Sequence, residues 1–306
     1  MRGIRRGLRL RLPATSANLG PGFDTLALAL ELHLEIEAEA AAEFQIEATG
    51  RDATICGSME KNLLLETYRE LMAAQQRLAV PLHIRMKNGI PLGMGCGSSA
   101  AVRLAAVALA AHFGELEWGR ERILDEACRL EGHTDNAAAC WLGGFVASAA
   151  DGDRVQAVSF PLPAGWRAVV AMPDQPLATS ASRAVLPAAW PRRDVVANLQ
   201  RVALLTAALA TGQAGLLANA MRDWLHQPYR AEVCPLLPRL LPLAGEPGIA
   251  GVALSGAGPA VLLLTTSPGA AEKTGQAVER AAAEIGPVEI VIAGLESSAA
   301  RVEILD

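Results

Sequence analysis

The stretch from Pro91 to Ala100, which reads PLGMGCGSSA, constrains the fold of this chain more than any other. Its three glycines alternate, at Gly93, Gly95 and Gly97. The run after Ser99 is rich in alanine and leucine and contains neither glycine nor proline before Gly114, which predicts a helix with Ser98 or Ser99 as its N-cap. Glycine permits positive φ and lets a ligand approach the backbone. A glycine-rich loop that enters a helix is typical of an anion site, most often for phosphate.

Three better-known motifs do not fit this loop. A Walker A motif needs a lysine before the hydroxyl residue, whereas Gly97 precedes Ser98. The dinucleotide fingerprint needs a third glycine where Ser98 stands. A nucleophile elbow needs Gly-x-Ser-x-Gly, which the segment 97–100 does not provide. Two interpretations remain: a phosphate cradle of another type, and a glycine turn that only caps a buried helix.

The length of the chain, 306 residues, allows one large or two medium domains. The segment 161–165, PLPAG, reads as a junction, so we expect an N-terminal domain over residues 1–160 and a C-terminal domain over residues 161–306. Predicted strands and helices mix along both parts without strict alternation. This pattern favours an α+β fold over a parallel barrel.

Charge and cysteine usage exclude several classes of protein. The formal net charge is −5, which argues against a nucleic-acid-binding protein. The longest apolar run is interrupted by Arg103 and His112, so it predicts a core helix and not a membrane span. The five cysteines are scattered and odd in number, which is typical of reduced thiols in a cytoplasmic protein.

Three segments together resemble the motifs of one kinase superfamily, the GHMP kinases, which includes galactokinase, homoserine kinase and mevalonate kinase. The glycine loop resembles its glycine–serine phosphate motif, the turn-rich segment Pro13–Asp24 its first motif, and Gly251–Leu264 its third. The three occur in the superfamily's order across nearly the whole chain. The resemblance implies the two-domain GHMP kinase fold, with a ribosomal-protein-like N-terminal domain and a ferredoxin-like C-terminal domain.

Within this superfamily the chain resembles the homoserine kinase family most. The residues that carry this resemblance lie in four segments, Ala17–Asp24, Glu131–Asn136, Ser182–Pro187 and Gln227–Arg230. It implies phosphorylation of the L-homoserine hydroxyl by ATP to O-phospho-L-homoserine, a step of threonine biosynthesis. Two residues depart from the family pattern: Cys96 stands where leucine is usual, and Thr134 where proline is common. We expect Cys96 to make the loop sensitive to thiol reagents.

The resemblance also implies the residues that bind ATP and Mg²⁺. The expected ATP-binding residues are Asn62, Lys87, Pro91, Gly93, Gly95, Gly97, Ser98 and Ser99. Mg²⁺ prefers hard oxygen ligands, and Glu131 with Ser98 or Ser99 matches the family's ligands. The expected catalytic residues are Asp135, Asn136 and Glu131. Asp135 is expected to bind the substrate first, and a role as catalytic base stays open.

The proposed substrate is a zwitterion with a primary hydroxyl, and the resemblance assigns a residue type to each end. Asn18 and Asp24 are expected to bind the ammonium, and Arg183 and Arg230 the carboxylate, for which a planar guanidinium suits. Asp135 and Asn136 are then expected to face the hydroxyl. The alternatives are another GHMP-type small-molecule kinase, for mevalonate or diphosphocytidyl-methylerythritol, and a non-catalytic protein on the same fold. No nucleic-acid or membrane partner is expected, and a homodimer is left open.

Overall fold

The computed structural model describes residues 6–305, which form two antiparallel-rich β-sheets with helices packed against them. The ends of the two predicted domains, residues 1–5 and residue 306, lie outside the described residues. The strands are β1 (Leu8–Asn18), β2 (Gly22–Ala40), β3 (Gln45–Gly50), β4 (Leu82–Asn88), β5 (Phe145–Asp151), β6 (Arg154–Phe160), β7 (Arg167–Pro173), β8 (Ile249–Leu254), β9 (Val261–Thr265), β10 (Val288–Gly294) and β11 (Arg301–Ile304). The helices are α1 (Ala53–Cys56), α2 (Leu63–Ala74), α3 (Ser98–Phe113), α4 (Arg120–Glu131), α5 (Asp135–Leu142), α6 (Thr179–Ala184), α7 (Arg192–Ala210), α8 (Leu217–Ala220), α9 (Gln227–Arg230), α10 (Leu236–Leu240) and α11 (Pro268–Ala282). Mixed helices and sheets confirm the predicted α+β class.

The first sheet has the strand order β11-β1-β2-β4-β3, with β5 paired to β2 and β6 paired to β5. All its pairs are antiparallel except β3 with β4. Its inner face is apolar because the leucines of β1 at positions 8, 10 and 12 point into the core while Arg9 is exposed. The alanine-rich helix α3 and helix α5 pack on this face against β1 and β2.

The segment that we predicted to be a turn is mostly strand. β1 continues through Asn18 and β2 begins at Gly22, so only Leu19–Pro21 forms the turn. Proline is tolerated at position 13 because the β1–β2 register shifts there, between Pro13 and Ala14. The small residues after it are buried, and this lets the helices approach the strand closely.

The second sheet has the order β10-β7-β9-β8 and is covered by α11 and α10. The predicted boundary between residues 160 and 161 falls between β6 of the first sheet and β7 of the second. The chain then returns, because β11 pairs with β1 in the first sheet. The two-domain division therefore stays a prediction. Among residues 6–305, no helix is long and apolar enough to cross a bilayer.

Candidate active site

A cleft of about 240 Å³ lies beside the glycine loop and gathers most of the predicted residues. Those lining it are Asn18, Asp24, Gly93, Gly95, Gly97, Ser98, Ser99, Glu131, Asp135, Asn136, Arg183 and Arg230. A larger groove of about 570 Å³ crosses the open face of the first sheet, and Lys87 is the one predicted residue that lines it. We place the site in the smaller cleft because unlike functional groups from distant segments converge there.

The glycine loop adopts the backbone that its sequence predicts. Gly93, Gly95 and Gly97 have φ values of 68°, 78° and 70°, which are strained for other residues. Gly97 is the N-cap of α3, and both Ser98 and Ser99 lie inside its first turn. The prediction of a serine N-cap is therefore wrong. A side chain at position 97 would overlap Thr15 Oγ1, so the close approach of β1 requires glycine there.

The three motifs are bonded to one another beneath the cleft. The buried hydroxyl of Ser255, from the third motif, is 2.8 Å from Ser16 Oγ and 2.8 Å from the carbonyl oxygen of Gly95. The N–H of Thr15 donates to the carbonyl oxygen of Cys96 at 3.0 Å. Sequence reasoning missed these contacts, because serine and threonine in such loops carry no distinctive local pattern. Hydrogen bonds from β1 and from the third motif thus fix the position of the glycine loop.

Cys96 does not fit the reactivity that we expected of it. Its side chain is 1% exposed. Burial raises the pKa of its thiol to about 12, so the reactive thiolate is scarce at neutral pH. The structure therefore argues against a loop that thiol reagents readily attack.

Glu131 ends α4, and its carboxylate faces the start of α3. Ser99 Oγ donates to Glu131 Oε1 at 2.7 Å, and Arg103 Nη1 lies 3.1 Å from the same oxygen. Gly132, in the left-handed region with φ 80°, ends the helix and turns the chain toward His133. Two hard oxygens from separate helices therefore meet beside the glycine loop, with an arginine as their counter-charge.

Asp135 and Asn136 occupy the first turn of α5. Asp135 Oδ1 lies 2.6 Å from His133 Nδ1 and accepts the N–H of Asn136 at 2.7 Å. Thr15 Oγ1 donates to Asn136 Oδ1 at 2.7 Å, which fixes the direction of the amide. Both side chains are therefore held in place before a ligand binds.

His133 is a functional-site residue that our assignments missed, although it stands between Glu131 and Asp135 in the sequence. Burial alone would lower the pKa of its imidazole. The hydrogen bond to Asp135 and the charges of Asp135, Glu131 and Asp24 outweigh burial and raise that pKa above its usual value. The imidazole is thus a positive counterpart for a cluster of carboxylates.

Asp24, in β2, and Arg183, in α6, both line the cleft and form an ion pair. Arg183 Nη2 and Nη1 donate to the two Asp24 oxygens at 2.7 Å and 3.0 Å. Asn18 positions the acid, because its Oδ1 accepts the N–H of Asp24 at 3.0 Å. Its Nδ2 donates to the carbonyl oxygen of Gly256 at 2.7 Å. Asn18 therefore stabilises the turn by these hydrogen bonds and also lines the cleft.

Arg230 is 1% exposed, yet it lines the cleft. Its Nε donates to the carbonyl oxygen of Ser182 at 3.3 Å, and its Nη1 lies 3.2 Å from the carbonyl oxygen of Gly256 and from His226 Nδ1. Burial, followed by the charge of Arg183, lowers the pKa of Arg230, but a guanidinium stays protonated at neutral pH. A buried cation of this kind can recognise a carboxylate.

The structure does not bring three predicted ATP-binding residues into the cleft. Asn62 caps α2, where its side chain accepts from the N–H groups of Leu64 and Leu65. Lys87 is exposed on β4, and Pro91 is buried at the start of the glycine loop. Their ATP-binding roles stay predictions.

Both the sequence and the structure of this chain are similar to those of known proteins. The chain matches the family of GHMP kinases N terminal domain over residues 62–144 and that of GHMP kinases C terminal over residues 205–284. It is 47% identical to a homoserine kinase from Solibacter usitatus over 83% of this chain and 84% of that protein. A homoserine kinase from Moorella thermoacetica is 41% identical over 90% of this chain and 93% of its own length.

Solved structures give the same grouping. The crystal structure of homoserine kinase from Cytophaga hutchinsonii superposes with a TM-score of 0.82 at 26% identity, covering 99% of each chain. A galactokinase from Lactococcus lactis, solved with galactose, has a TM-score of 0.68 at 12% identity over 96% of this chain and 95% of its own, which speaks for the fold alone.

Proposed function

We propose that this chain, which belongs to the homoserine kinase family of the GHMP kinases, transfers the γ-phosphoryl group of ATP to the hydroxyl of L-homoserine. The product is O-phospho-L-homoserine, the substrate of a later step in threonine biosynthesis. The observation that carries the substrate assignment is the cleft itself, which the glycine loop lines together with Asp24, Arg183 and Arg230. Mevalonate and galactose carry no ammonium, so a kinase for either substrate would have no use for the Asp24 carboxylate beside Arg183.

The phosphate end of the proposed site is the glycine loop. Helix α3 has sixteen residues, so its N-terminus presents free N–H groups and the positive end of a helix dipole to the cleft. A Cβ at Gly95 would overlap the carbonyl oxygen of Ser255, so the loop packs closely against the third motif and requires glycine there. We assign ATP phosphates to this cradle.

The oxygen pair of Ser99 and Glu131 fits Mg²⁺, which prefers hard oxygen ligands. A second set, Asp24, His133 and Asp135, offers ligand atoms within 4.8 Å of one another. It suits Mg²⁺ less, because one member is a nitrogen and Asp24 is paired with Arg183. We assign Mg²⁺ to Glu131 with Ser98 or Ser99, where the ion would neutralise phosphate charge as in other phosphoryl transfers.

Positioning by the chain's own groups supplies the rest of the proposed chemistry. Asp24 binds the substrate ammonium, and Arg183 with Arg230 binds the carboxylate. Asp135 and Asn136 then receive the hydroxyl, and the His133 imidazole, 2.6 Å from Asp135 Oδ1, holds that carboxylate in place. In the transfer, the hydroxyl oxygen bonds to the γ-phosphorus as the bond to ADP breaks, and the hydroxyl proton leaves toward Asp135 or solvent.

A coupled ADP-release assay tests the proposal over a panel of L-homoserine, mevalonate and galactose. We expect L-homoserine to be turned over and the other two to give background rates. The phosphorylated product is identified by phosphorus NMR. Turnover of mevalonate in place of L-homoserine would favour the alternative kinase, and ADP release without any acceptor would leave only an ATPase.

A further inference from the structure

The residues proposed to bind the two charges of the substrate are bonded to each other in this structure. Asp24, in the turn-proximal end of β2, and Arg183, in α6, form a bidentate pair with distances of 2.7 Å and 3.0 Å. The Arg183 guanidinium lies over the Phe23 ring, 5.4 Å from its centroid. The hydrogen bond to Asp24 raises the pKa of Arg183. A ligand that takes the two Asp24 oxygens, or the two terminal nitrogens of Arg183, therefore displaces a formed ion pair.

The pair is accessible enough to be exchanged. The side chains of Arg183 and Asp24 are 37% and 32% exposed, whereas Arg230 is 1% exposed and is held by backbone carbonyl oxygens. A half-exposed ion pair contributes little net free energy, so displacing it with equivalent partners costs little. The cleft thus contains one fixed cation, Arg230, and one exchangeable pair of opposite charges.

The chemistry of the ligand decides what the exchange costs. A zwitterion gives its ammonium to Asp24 and its carboxylate to Arg183, so both residues keep a charged partner. A ligand with a single charge satisfies one residue and leaves the other without a partner, so its binding loses the modest contribution of the ion pair. A neutral alcohol leaves the ion pair intact.

We propose that the Asp24–Arg183 ion pair is a selectivity gate that opens by partner exchange, so that only a ligand carrying both an ammonium and a carboxylate binds without penalty. This inference rests on the proposed function and adds to it a reason for the rejection of cellular alcohols with one charge. Its consequence is specific: removing one member of the pair frees the other for a single-charge ligand.

The experiment uses two analogues of homoserine, each lacking one charge. They are 4-hydroxybutanoate, which keeps the carboxylate, and 3-aminopropan-1-ol, which keeps the ammonium. Dissociation constants for both and for L-homoserine are measured by NMR titration on the full chain and on Asp24→Asn and Arg183→Met. Asparagine tolerates the φ of 55° at position 24, and methionine keeps contact with Phe23, so both variants are expected to fold, which thermal unfolding checks.

We expect each variant to gain affinity for one analogue while it loses affinity for homoserine. Asp24→Asn should bind 4-hydroxybutanoate roughly 2- to 10-fold tighter than the unaltered protein, and Arg183→Met should bind 3-aminopropan-1-ol tighter by a similar factor, as expected for release from a half-exposed ion pair. A residue that only contacts the substrate, or only supports the fold, would give losses in every case.

Two matched variants separate partner exchange from simple removal of a repelling charge. Asp135→Asn removes a carboxylate whose oxygen lies within 4.8 Å of the Asp24 oxygen, and Arg230→Met removes the neighbouring cation. Both leave the ion pair in place, so neither should reproduce the gain. The proposal is overturned if Asp24→Asn and Arg183→Met give no gain, or if the matched variants give an equal one. Turnover of L-homoserine by the unaltered enzyme is scored separately, so failure of the proposed function is distinguished from failure of the gate.

Discussion

Replacing Arg230 by methionine should remove the cation that we propose to bind the substrate carboxylate, without unfolding the protein. Arg230 is 1% exposed and makes its three hydrogen bonds at 3.2–3.3 Å through Nε and Nη1. Methionine has a similar length and can keep the contact with the Phe23 ring, whose centroid is 5.2 Å from the guanidinium carbon. The carbonyl oxygen of Ser182 loses the Arg230 donor, which costs about 1–3 kcal/mol, whereas that of Gly256 keeps Asn18 Nδ2 as a donor.

The expected loss of activity follows from the bond that disappears. A charge-assisted hydrogen bond contributes about 1.5–3 kcal/mol. At about 1.4 kcal/mol per tenfold change, kcat/KM for L-homoserine should fall by roughly 10- to 150-fold. The KM for ATP should change little, because Arg230 is proposed to contact L-homoserine and not ATP.

The assay is a cycle of two proteins and two substrates. The unaltered enzyme and Arg230→Met are each measured with L-homoserine and with homoserine amide, whose carboxylate is replaced by a neutral group. The loss should be confined to L-homoserine. Arg222→Met serves as the matched control, since Arg222 also lies over an aromatic ring, that of Trp224, but outside the cleft. An equal loss with both substrates would refute the reasoning, because Arg230 would then not read the carboxylate.

Three further outcomes are expected. Glu131→Gln should raise the Mg²⁺ concentration needed for half-maximal rate and lower kcat by more than tenfold, as a Mg²⁺ titration of initial rates would show. Ser255→Ala should lower the free energy of unfolding by about 1–3 kcal/mol, because it removes a buried hydroxyl that bridges two motifs, and should raise the KM for ATP. The difference in unfolding free energy between the unaltered protein and His133→Gln should be largest below pH 6.5. It should shrink as the pH rises through the raised pKa of His133. Denaturation at a series of pH values measures this difference.

Residues with a strong local signature were predictable from sequence. The alternating glycines require positive φ, and their φ values of 68° to 78° follow from that. The N-cap of α2 at Asn62 and the C-cap of α4 at Gly132 likewise rest on capping chemistry that acts within a few residues. The cleft residues could be named because a family pattern joined segments that no local rule connects.

Features that depend on tertiary contact were not predictable from sequence. Residues 13–18 read as a turn because proline and small polar residues favour turns, but pairing with β2 and burial under two helices make them strand. The serine N-cap failed because β1 lies so close to α3 that only glycine fits at position 97. The pairing of Asp24 with Arg183 joins residues 159 positions apart, which the sequence alone could not place.

The return of the chain to the first sheet bears on how this protein can fold during synthesis. Three contacts attach residues 295–304 to the first sheet and to α5. Leu295 forms a β-bridge with Leu30, the N–H of Ala300 donates to the carbonyl oxygen of Trp141, and β11 pairs with β1. A ribosome releases this segment only after all of the second sheet. The edge of β1 therefore remains unpaired while some 290 residues emerge. An unpaired strand edge can pair with wrong strands. Expressing residues 1–160 alone should therefore give an aggregation-prone fragment. Moving residues 295–304 ahead of β1 by circular permutation should let the first sheet close early.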